Sequence, residues 1–410
     1  MSDDGLVIVG AGLAGAKAAE AARSNGWDGP VRLVGAEAYL PYELPPLSKA
    51  VLIGRDGPAA AAVHGGDFYV SGEIDLLLGA PAERLDLDGR TVTLAGGRRL
   101  TFSRLVLATG STPRRLPVAG MDLAGVHTLR TVDDALALRE VLHPGRRVAV
   151  IGASWIGTEV GAAARERGCD VVMIDPLATP LERVLGAQVG GYFAALHADH
   201  GVDLRMGTGV EAIEGSDRVT GVRLGDGTTV DADAVVVGVG VIPNVDLARE
   251  GGLEVDRGVL VDAHLRTSHP DVYAAGDIAE AEHPVLGTRV RVEHWANALN
   301  QGLTAGANAA GAEAVYDRIP YFYSDQYEMG MEYSGWPVPF DRVVFRGDPS
   351  DGAFVAFYLA DDVVVGGINV NVWDVNDAVQ DLVRSRAPVD AAVLADPGTA
   401  PADWQTAIKR

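Results

Sequence analysis

Two stretches of this chain place a short apolar run directly before a turn of small residues. Leu6-Val7-Ile8-Val9 runs into Gly10-Ala11-Gly12-Leu13-Ala14-Gly15, and Val148-Ala149-Val150-Ile151 runs into Gly152-Ala153-Ser154-Trp155-Ile156-Gly157. A strand, such a turn and a helix together aim backbone N–H groups at a pyrophosphate. In the first loop Gly10 makes the turn. Gly12 lets the backbone, with that of Leu13 and Ala14, approach a phosphate, and Gly15 lets the helix lie against the strand. The alternative for such a loop is a tight strand–helix turn with no ligand. The second loop departs from the pattern: Ser154 stands at the middle glycine. A serine is small enough to sit beside a phosphate and able to donate to it, and Ile156 and Gly157 then open the second helix. Two dinucleotides held by one chain imply that electrons pass between them.

An acidic residue about twenty positions beyond such a loop holds ribose hydroxyls. Glu37 has that place behind the first loop and Asp175 behind the second. An acid there bonds the 2′-hydroxyl of NAD and repels the 2′-phosphate of NADP, so Asp175 predicts NADH at the second site. Arg183 speaks the other way if it holds a 2′-phosphate; its alternatives are a pyrophosphate contact and solvent.

The elements that position these residues are legible from local pattern. Strand Leu6–Val9, a helix from Gly15 to about Ser24 and strand Val31–Val34 form a βαβ unit. The three prolines of the stretch 39–49 rule out a regular helix across it. A hairpin is expected near 84–100, and strand Arg104–Leu107 runs into Ala108-Thr109-Gly110. The plan repeats with strand Arg147–Ile151, a helix and strand Asp170–Ile174. Strand Ala234–Val239 ends at Gly240, strand Val272–Ala275 ends at Gly276-Asp277, and 296–310 is helical. From about 316 the texture changes to aromatic, alternating strands, the mark of a separate α+β domain.

Composition sets wider limits. At 410 residues the chain suits two or three domains, and 48% hydrophobic residues bury a sizeable core. A net charge of −22 argues against nucleic-acid binding. The acidic start lacks the marks of a signal peptide, and no apolar run approaches a membrane span, so the expectation is a cytoplasmic protein with no membrane partner. A reducing compartment fits the single cysteine, Cys169. No metal site is expected.

With these motifs the chain resembles the FAD-dependent pyridine-nucleotide ferredoxin reductases that serve cytochrome P450 systems and aromatic-ring dioxygenases. The resemblance covers nearly the whole chain. It rests on the first glycine loop, Leu44-Pro45-Pro46-Leu47-Ser48-Lys49, Ala108-Thr109-Gly110, Leu129-Arg130-Thr131, Gly152 to Glu159, Gly276-Asp277, Glu293-His294-Trp295 and Ser324-Asp325-Gln326-Tyr327. Glu43 departs from it, standing where many relatives carry a basic residue. Residues 57–63 match no motif.

The resemblance implies an α/β, glutathione-reductase-like fold with two Rossmann-like dinucleotide-binding domains and a C-terminal α+β domain. Residues 1–112 would form the first part of an FAD-binding domain, 113–242 an NAD-binding domain, 243–315 the second part of the FAD-binding domain, and 316–410 the C-terminal domain. Asp277, with Gly276, would approach the FAD ribityl or pyrophosphate, alongside or instead of capping a helix. Arg130 would contact the cofactor, the alternative being a surface residue. Ala82, Ala108, Thr109 and Gly110 join the FAD set, and Gly240 joins the NAD set.

Lys49 would lie near flavin N5, paired with Glu159. A cation there stabilises the negative charge that hydride builds on the ring, and a carboxylate partner limits the cost of a half-buried ammonium. The alternatives are an exposed loop lysine and an ordinary helix glutamate. Trp295 would pack beside the isoalloxazine, with Glu293 and His294 at its edge; plain core packing is the alternative. Lys49, Glu159 and Trp295 are therefore the catalytic candidates.

Disulfide reductases and thiol peroxidases of this plan need a cysteine pair or a cysteine at the flavin. Cys169 precedes a strand, the place of a small packing residue, and there is no other thiol. Electrons must therefore leave the chain. The reading is hydride transfer from NADH to FAD and single-electron transfer to a [2Fe–2S] ferredoxin that feeds an oxygenase. Alternatives are rubredoxin, a quinone, a small oxidant or oxygen as acceptor, or a redox-sensing interaction protein. A monomer is expected, with a dimer through the C-terminal domain as the alternative. Arg289, Arg291 and Arg318 are the candidate basic patch for ferredoxin.

Overall fold

The computed structural model describes residues 4–336 and 338–409. The chain divides into two compact units. The first comprises Met1–Glu43, Ala61–Thr112 and Ile242–Tyr321, and the second Leu44–Ala60, Pro113–Val241 and Phe322–Arg410.

In the first unit strand Gly5–Val9 is buried along its whole length, as its unbroken apolar run requires of a central parallel strand. It pairs in parallel with Val31–Val34 on one side and Arg99–Leu107 on the other. Ile74–Leu77 extends the sheet beyond Val31–Val34, and Val272–Ala274 pairs in parallel with the far end of Arg99–Leu107. The register sets Val9 level with Val34 and Leu107, and Leu107 level with Ala274. The first glycine loop, Ala108-Thr109-Gly110 and Gly276-Asp277 thus leave the sheet at one carboxyl edge, where open α/β sheets bind ligands. The expected hairpin is present as antiparallel strands Ala82–Asp86 and Thr91–Leu94.

Helix Leu13–Ser24 lies against helix Trp295–Ala309 with small residues at the contact. A Cβ on Gly302 would stand 2.4 Å from the Ala14 carbonyl oxygen, and one on Gly306 would stand 2.1 Å from that of Ala18. The two helix backbones touch, which fixes both N-termini relative to the sheet.

The second unit repeats the plan. Strand Arg147–Ile151 lies between Asp170–Asp175 and Ala234–Val237, all parallel, with Asp203–Met206 outside Asp170–Asp175. Helix Trp155–Glu166 follows the second loop. A five-stranded sheet runs in the order Tyr321–Gln326, Met329–Gly335, Val363–Val370, Phe354–Ala360, Arg342–Arg346.

Packing crosses two of the expected boundaries. The C-terminal sheet shares a core with the helix before it in the same unit: Leu185, Val189 and Phe193 of helix Glu182–Asp199 pack with Phe322, Met331, Phe354 and Ile368. Burial of that common apolar face packs the C-terminal strands within the second unit. Residues 44–60, expected with the first domain, also belong to the second unit. There Arg167 Nη1 donates to the Ile53 carbonyl at 2.8 Å, and Ser48 reaches Glu159. The 57–63 stretch that matched no motif contains a 3₁₀ turn, Pro58–Ala61. Among the described residues no helix is long and apolar enough to cross a membrane.

Candidate functional site

Both glycine loops carry the geometry their sequences imply. Gly10 has φ +116°, and a Cβ on it would meet the Ala108 carbonyl oxygen at 2.0 Å. A Cβ on Gly15 would lie 1.8 Å from the Gly10 carbonyl oxygen, whereas one on Gly12 would meet no protein atom within 4 Å. The open side at Gly12 is the N-terminus of helix Leu13–Ser24, which has no side-chain cap and no acid in its first turn. Its first N–H groups have no carbonyl a turn back and face a site suited to an anion. Gly152 and Gly157 repeat the arrangement, with φ +99° at Gly152 and a Cβ on Gly157 1.8 Å from the Gly152 carbonyl oxygen.

Ser154 differs from its expectation as a donor. Its hydroxyl donates to the Gly238 carbonyl at 2.6 Å and accepts from the Gly157 N–H at 3.3 Å. The hydroxyl hydrogen is committed inside the fold, so Ser154 caps the helix and serves the loop by its small size. Ile156 is exposed beside it. Gly240, φ +96°, faces open space.

Thr109 is likewise turned inward. Its hydroxyl donates to the Asn244 carbonyl at 2.6 Å, and Asn244 Nδ2 donates back to the Thr109 carbonyl at 2.9 Å. Glu37 is half-buried and accepts the Tyr42 hydroxyl at 2.8 Å, which orients its carboxylate. Asp175 accepts the Ala153 N–H and the Leu177 N–H, each at 2.8 Å. It therefore braces the second loop while each oxygen keeps a lone pair for a ribose hydroxyl. Arg183 is exposed, and Ala82 is half-buried at a strand start. Arg130 sits in the second unit, just before the capping box of helix Val132–Val141.

The Lys49–Glu159 pair forms as expected. Pro45 and Pro46 open a 3₁₀ turn, Pro45–Ser48, and Lys49 ends it. Lys49 Nζ lies 2.7 Å from Glu159 Oε1, and Glu159 is 7% exposed on the helix that begins at the second loop. The Ser48 hydroxyl donates to Oε2, and the Ser324 hydroxyl donates to Oε1 at 2.7 Å. The ammonium and two hydroxyls compensate a carboxylate taken out of water. Lys49 also stands 5.9 Å from the centre of the Tyr323 ring. Partial desolvation pushes the carboxyl of the exposed Asp325 up; Lys49 opposes that shift and Glu159 adds to it.

In the first unit Asp277 is buried, and Arg291 Nη1 donates to its carbonyl at 3.2 Å. Glu293 is exposed and pairs with Arg291 at 2.5 Å. His294 precedes helix Trp295–Ala309 without capping it through its side chain, and burial pushes its imidazole down to about 4. Gln301, on the same helix, was missed by the sequence reading. Its Oε1 accepts the Gly276 N–H at 2.9 Å, while its buried Nε2 has no protein partner among the described residues. A lone glutamine in an Ala- and Gly-rich helix, under two turns from Trp295, was the signal. The open Gly12 helix end, Glu37 and a donor left over beside Gly276 together fit a flavin dinucleotide. Among the described residues no group of three or more His, Cys, Asp or Glu side chains is placed to hold a metal ion.

Two of the three arginines of the candidate basic patch are ion-paired. Arg289 pairs with Glu282 at 2.6 Å and Arg291 with Glu293, so two of its three charges are neutralised locally. Arg318 remains exposed. Cys169 is buried, and its Sγ lies 3.3 Å from the His143 carbonyl oxygen.

Comparison with known proteins agrees with this geometry. Residues 4–302 match the model of the pyridine nucleotide-disulphide oxidoreductase family, and 321–402 match a reductase C-terminal family. The ferredoxin–NAD(+) reductase component of the anthranilate 1,2-dioxygenase system from Burkholderia cepacia is 42% identical, over 97% of this chain and 98% of its own. Putidaredoxin reductase from Pseudomonas putida is 38% identical, over 96% and 95%. The solved covalent putidaredoxin reductase–putidaredoxin complex superposes with a TM-score of 0.95 at 37% identity, covering 100% of this chain and 99% of that one. The chain belongs to the pyridine nucleotide-disulphide oxidoreductase family and, within it, to the FAD-dependent ferredoxin–NAD(P)+ reductase components of oxygenase systems.

Proposed function

We propose that this protein takes hydride from NADH and passes electrons one at a time to a [2Fe–2S] ferredoxin that feeds a cytochrome P450 or a ring-hydroxylating dioxygenase. The observation that carries the reading is the lone thiol. The family is named for disulphide chemistry, yet Cys169 is buried and the chain has 1 cysteine. No thiol relay can take the electrons, so they leave for an external carrier.

FAD, when bound, supplies the step from a two-electron to a one-electron carrier. The chain's residues hold and bias it. The Gly10–Gly15 loop and Glu37 hold one dinucleotide, assisted by Gly276, Asp277 and the Gln301 amide. The Gly152–Gly157 loop and Asp175 hold the other, and Asp175 favours NADH over NADPH. Lys49, held by Glu159, is the cation that answers negative charge on the reduced flavin. Trp295 walls the ring from water. The setting is the cytoplasm and the working unit a monomer.

The test is reduction of a [2Fe–2S] ferredoxin by the FAD-loaded protein with NADH, against NADPH and against no ferredoxin. Fast, ferredoxin-dependent turnover that prefers NADH is the expected result. Rapid flavin reduction with no gain from ferredoxin over oxygen or a quinone would overturn the acceptor.

A further inference from the structure

The segment Ser324-Asp325-Gln326-Tyr327 has no role in the reading above, yet its side chains run into the Lys49–Glu159 pair. The sense of every hydrogen bond in this chain of groups follows from the carboxylate. Glu159 only accepts, so the Ser324 hydroxyl must give its single hydrogen to Oε1, at 2.7 Å. Ser324 Oγ is then an acceptor for Gln326 Nε2 at 3.1 Å, and that amide's other hydrogen goes to Thr158 Oγ1 at 3.0 Å. Gln326 Oε1 therefore faces His197 Nε2, 2.9 Å away, which must carry the ring hydrogen. His197 Nδ1 is left to accept the Tyr327 hydroxyl at 3.1 Å. Ser324, Gln326 and His197 are each almost wholly buried, so no solvent competes for these bonds.

We propose that Ser324, aligned by Gln326 and His197, is a positioning residue for Lys49. It holds the carboxylate oxygen, Glu159 Oε1, that Lys49 also binds at 2.7 Å. Without it Oε1 keeps only the ammonium, the Gln326 N–H loses its acceptor, and only the Ser48 hydroxyl on Oε2 still restrains the carboxylate's last torsion. The ammonium follows the carboxylate. The inference rests on the proposal that Lys49 answers charge on the bound flavin.

The test is a double-mutant cycle of Ser324→Ala and Glu159→Gln on the FAD-loaded protein, with Ser324→Thr as the conservative variant. Stopped flow gives flavin reduction by NADH. Reductive titration against a reference dye gives the flavin midpoint potential without NADH. Ser324→Ala should slow reduction about tenfold and lower the potential by about 30 mV, tenfold for a two-electron couple. The dissociation constant for NADH should stay within about twofold, and Ser324→Thr should recover most of the rate. In the Glu159→Gln background Ser324→Ala should add less than about twofold, because the two residues act as one unit.

Additive losses, an unmoved potential, or a loss of NADH affinity in place of rate would each overturn the assignment. If Ser324→Ala fails to retain FAD, Ser324→Cys keeps the volume with a weaker donor, and the same cycle decides. If the unaltered protein is not reduced by NADH, the proposed function fails while the titration still judges Ser324.

Discussion

Gly157 passes so close to Gly152 that a Cβ on it would lie 1.8 Å from the Gly152 carbonyl oxygen, and Gly15 stands in the same relation to Gly10. Two loops of different sequence thus meet one steric condition, and each fails separately. Gly15→Ala should abolish uptake of FAD, read as the ratio of flavin to protein absorbance. Gly157→Ala should keep the flavin but raise the dissociation constant for NADH more than about tenfold, since the helix must move off its strand. Loss of flavin in both variants would show that the second loop is structural only.

Lys49→Ala leaves the Glu159 carboxylate with the hydroxyls of Ser48 and Ser324 and no cation. Flavin reduction by NADH should slow about a hundredfold, the scale of losing one preorganised electrostatic contact. The KM for ferredoxin should hold. Glu159→Gln keeps the shape and loosens the lysine, so its loss should be smaller, about tenfold. Stopped-flow traces check both, and an unchanged rate in Lys49→Ala removes the lysine from the mechanism.

What the sequence reveals here depends on how local each feature is. Strand, loop and helix were legible at both nucleotide sites because apolar runs and small residues adjoin in the chain. The prolines of residues 39–49 excluded a helix, but they carried no sign that residues 44–60 would pack with the second unit. That is fixed by contacts such as Ser48 with Glu159, 111 positions apart. The Lys49–Glu159 pair was legible only through resemblance, and the supporting His197–Gln326 bond, spanning 129 positions, leaves no local pattern. The ion pairs within the candidate basic patch were illegible for a related reason. Counting arginines finds their sign, while their partners Glu282 and Glu293 lie on paired strand Ala279–His283 and two residues on.

Acid should weaken the fold through its buried imidazoles. Burial pushes His197 from the usual 6.5 down to about 4, and burial also lowers His127 and His294. The unfolded chain then takes up protons first as pH falls, so the contribution is full above pH 6.5 and is lost as pH drops toward 4. For His197 alone this amounts to roughly 3 kcal/mol. Thermal melts from pH 7.5 to 4.5 should show a falling midpoint. His197→Gln should be less stable at pH 7.5, yet lose stability toward acid with a slope smaller by one proton. An unaltered slope would mean that the ring titrates as it does in the unfolded chain.

The lone thiol gives the sharpest division between an external acceptor and thiol chemistry. Burial is the largest influence on Cys169 and pushes its thiol up, against the lowering effects of Arg167 and the His143 carbonyl. A buried thiol with a raised pKa is neither nucleophile nor redox relay. Iodoacetamide should leave the native protein unmodified over minutes and label it fully in denaturant, as mass spectrometry would record. Cys169→Ala should cost about 1 kcal/mol of stability for the lost sulfur contacts. It should reduce ferredoxin with NADH at a rate within about twofold of the unaltered protein. A variant that reduces its flavin normally but no longer passes electrons to ferredoxin would return Cys169 to the electron path and sink the case for direct transfer from the flavin.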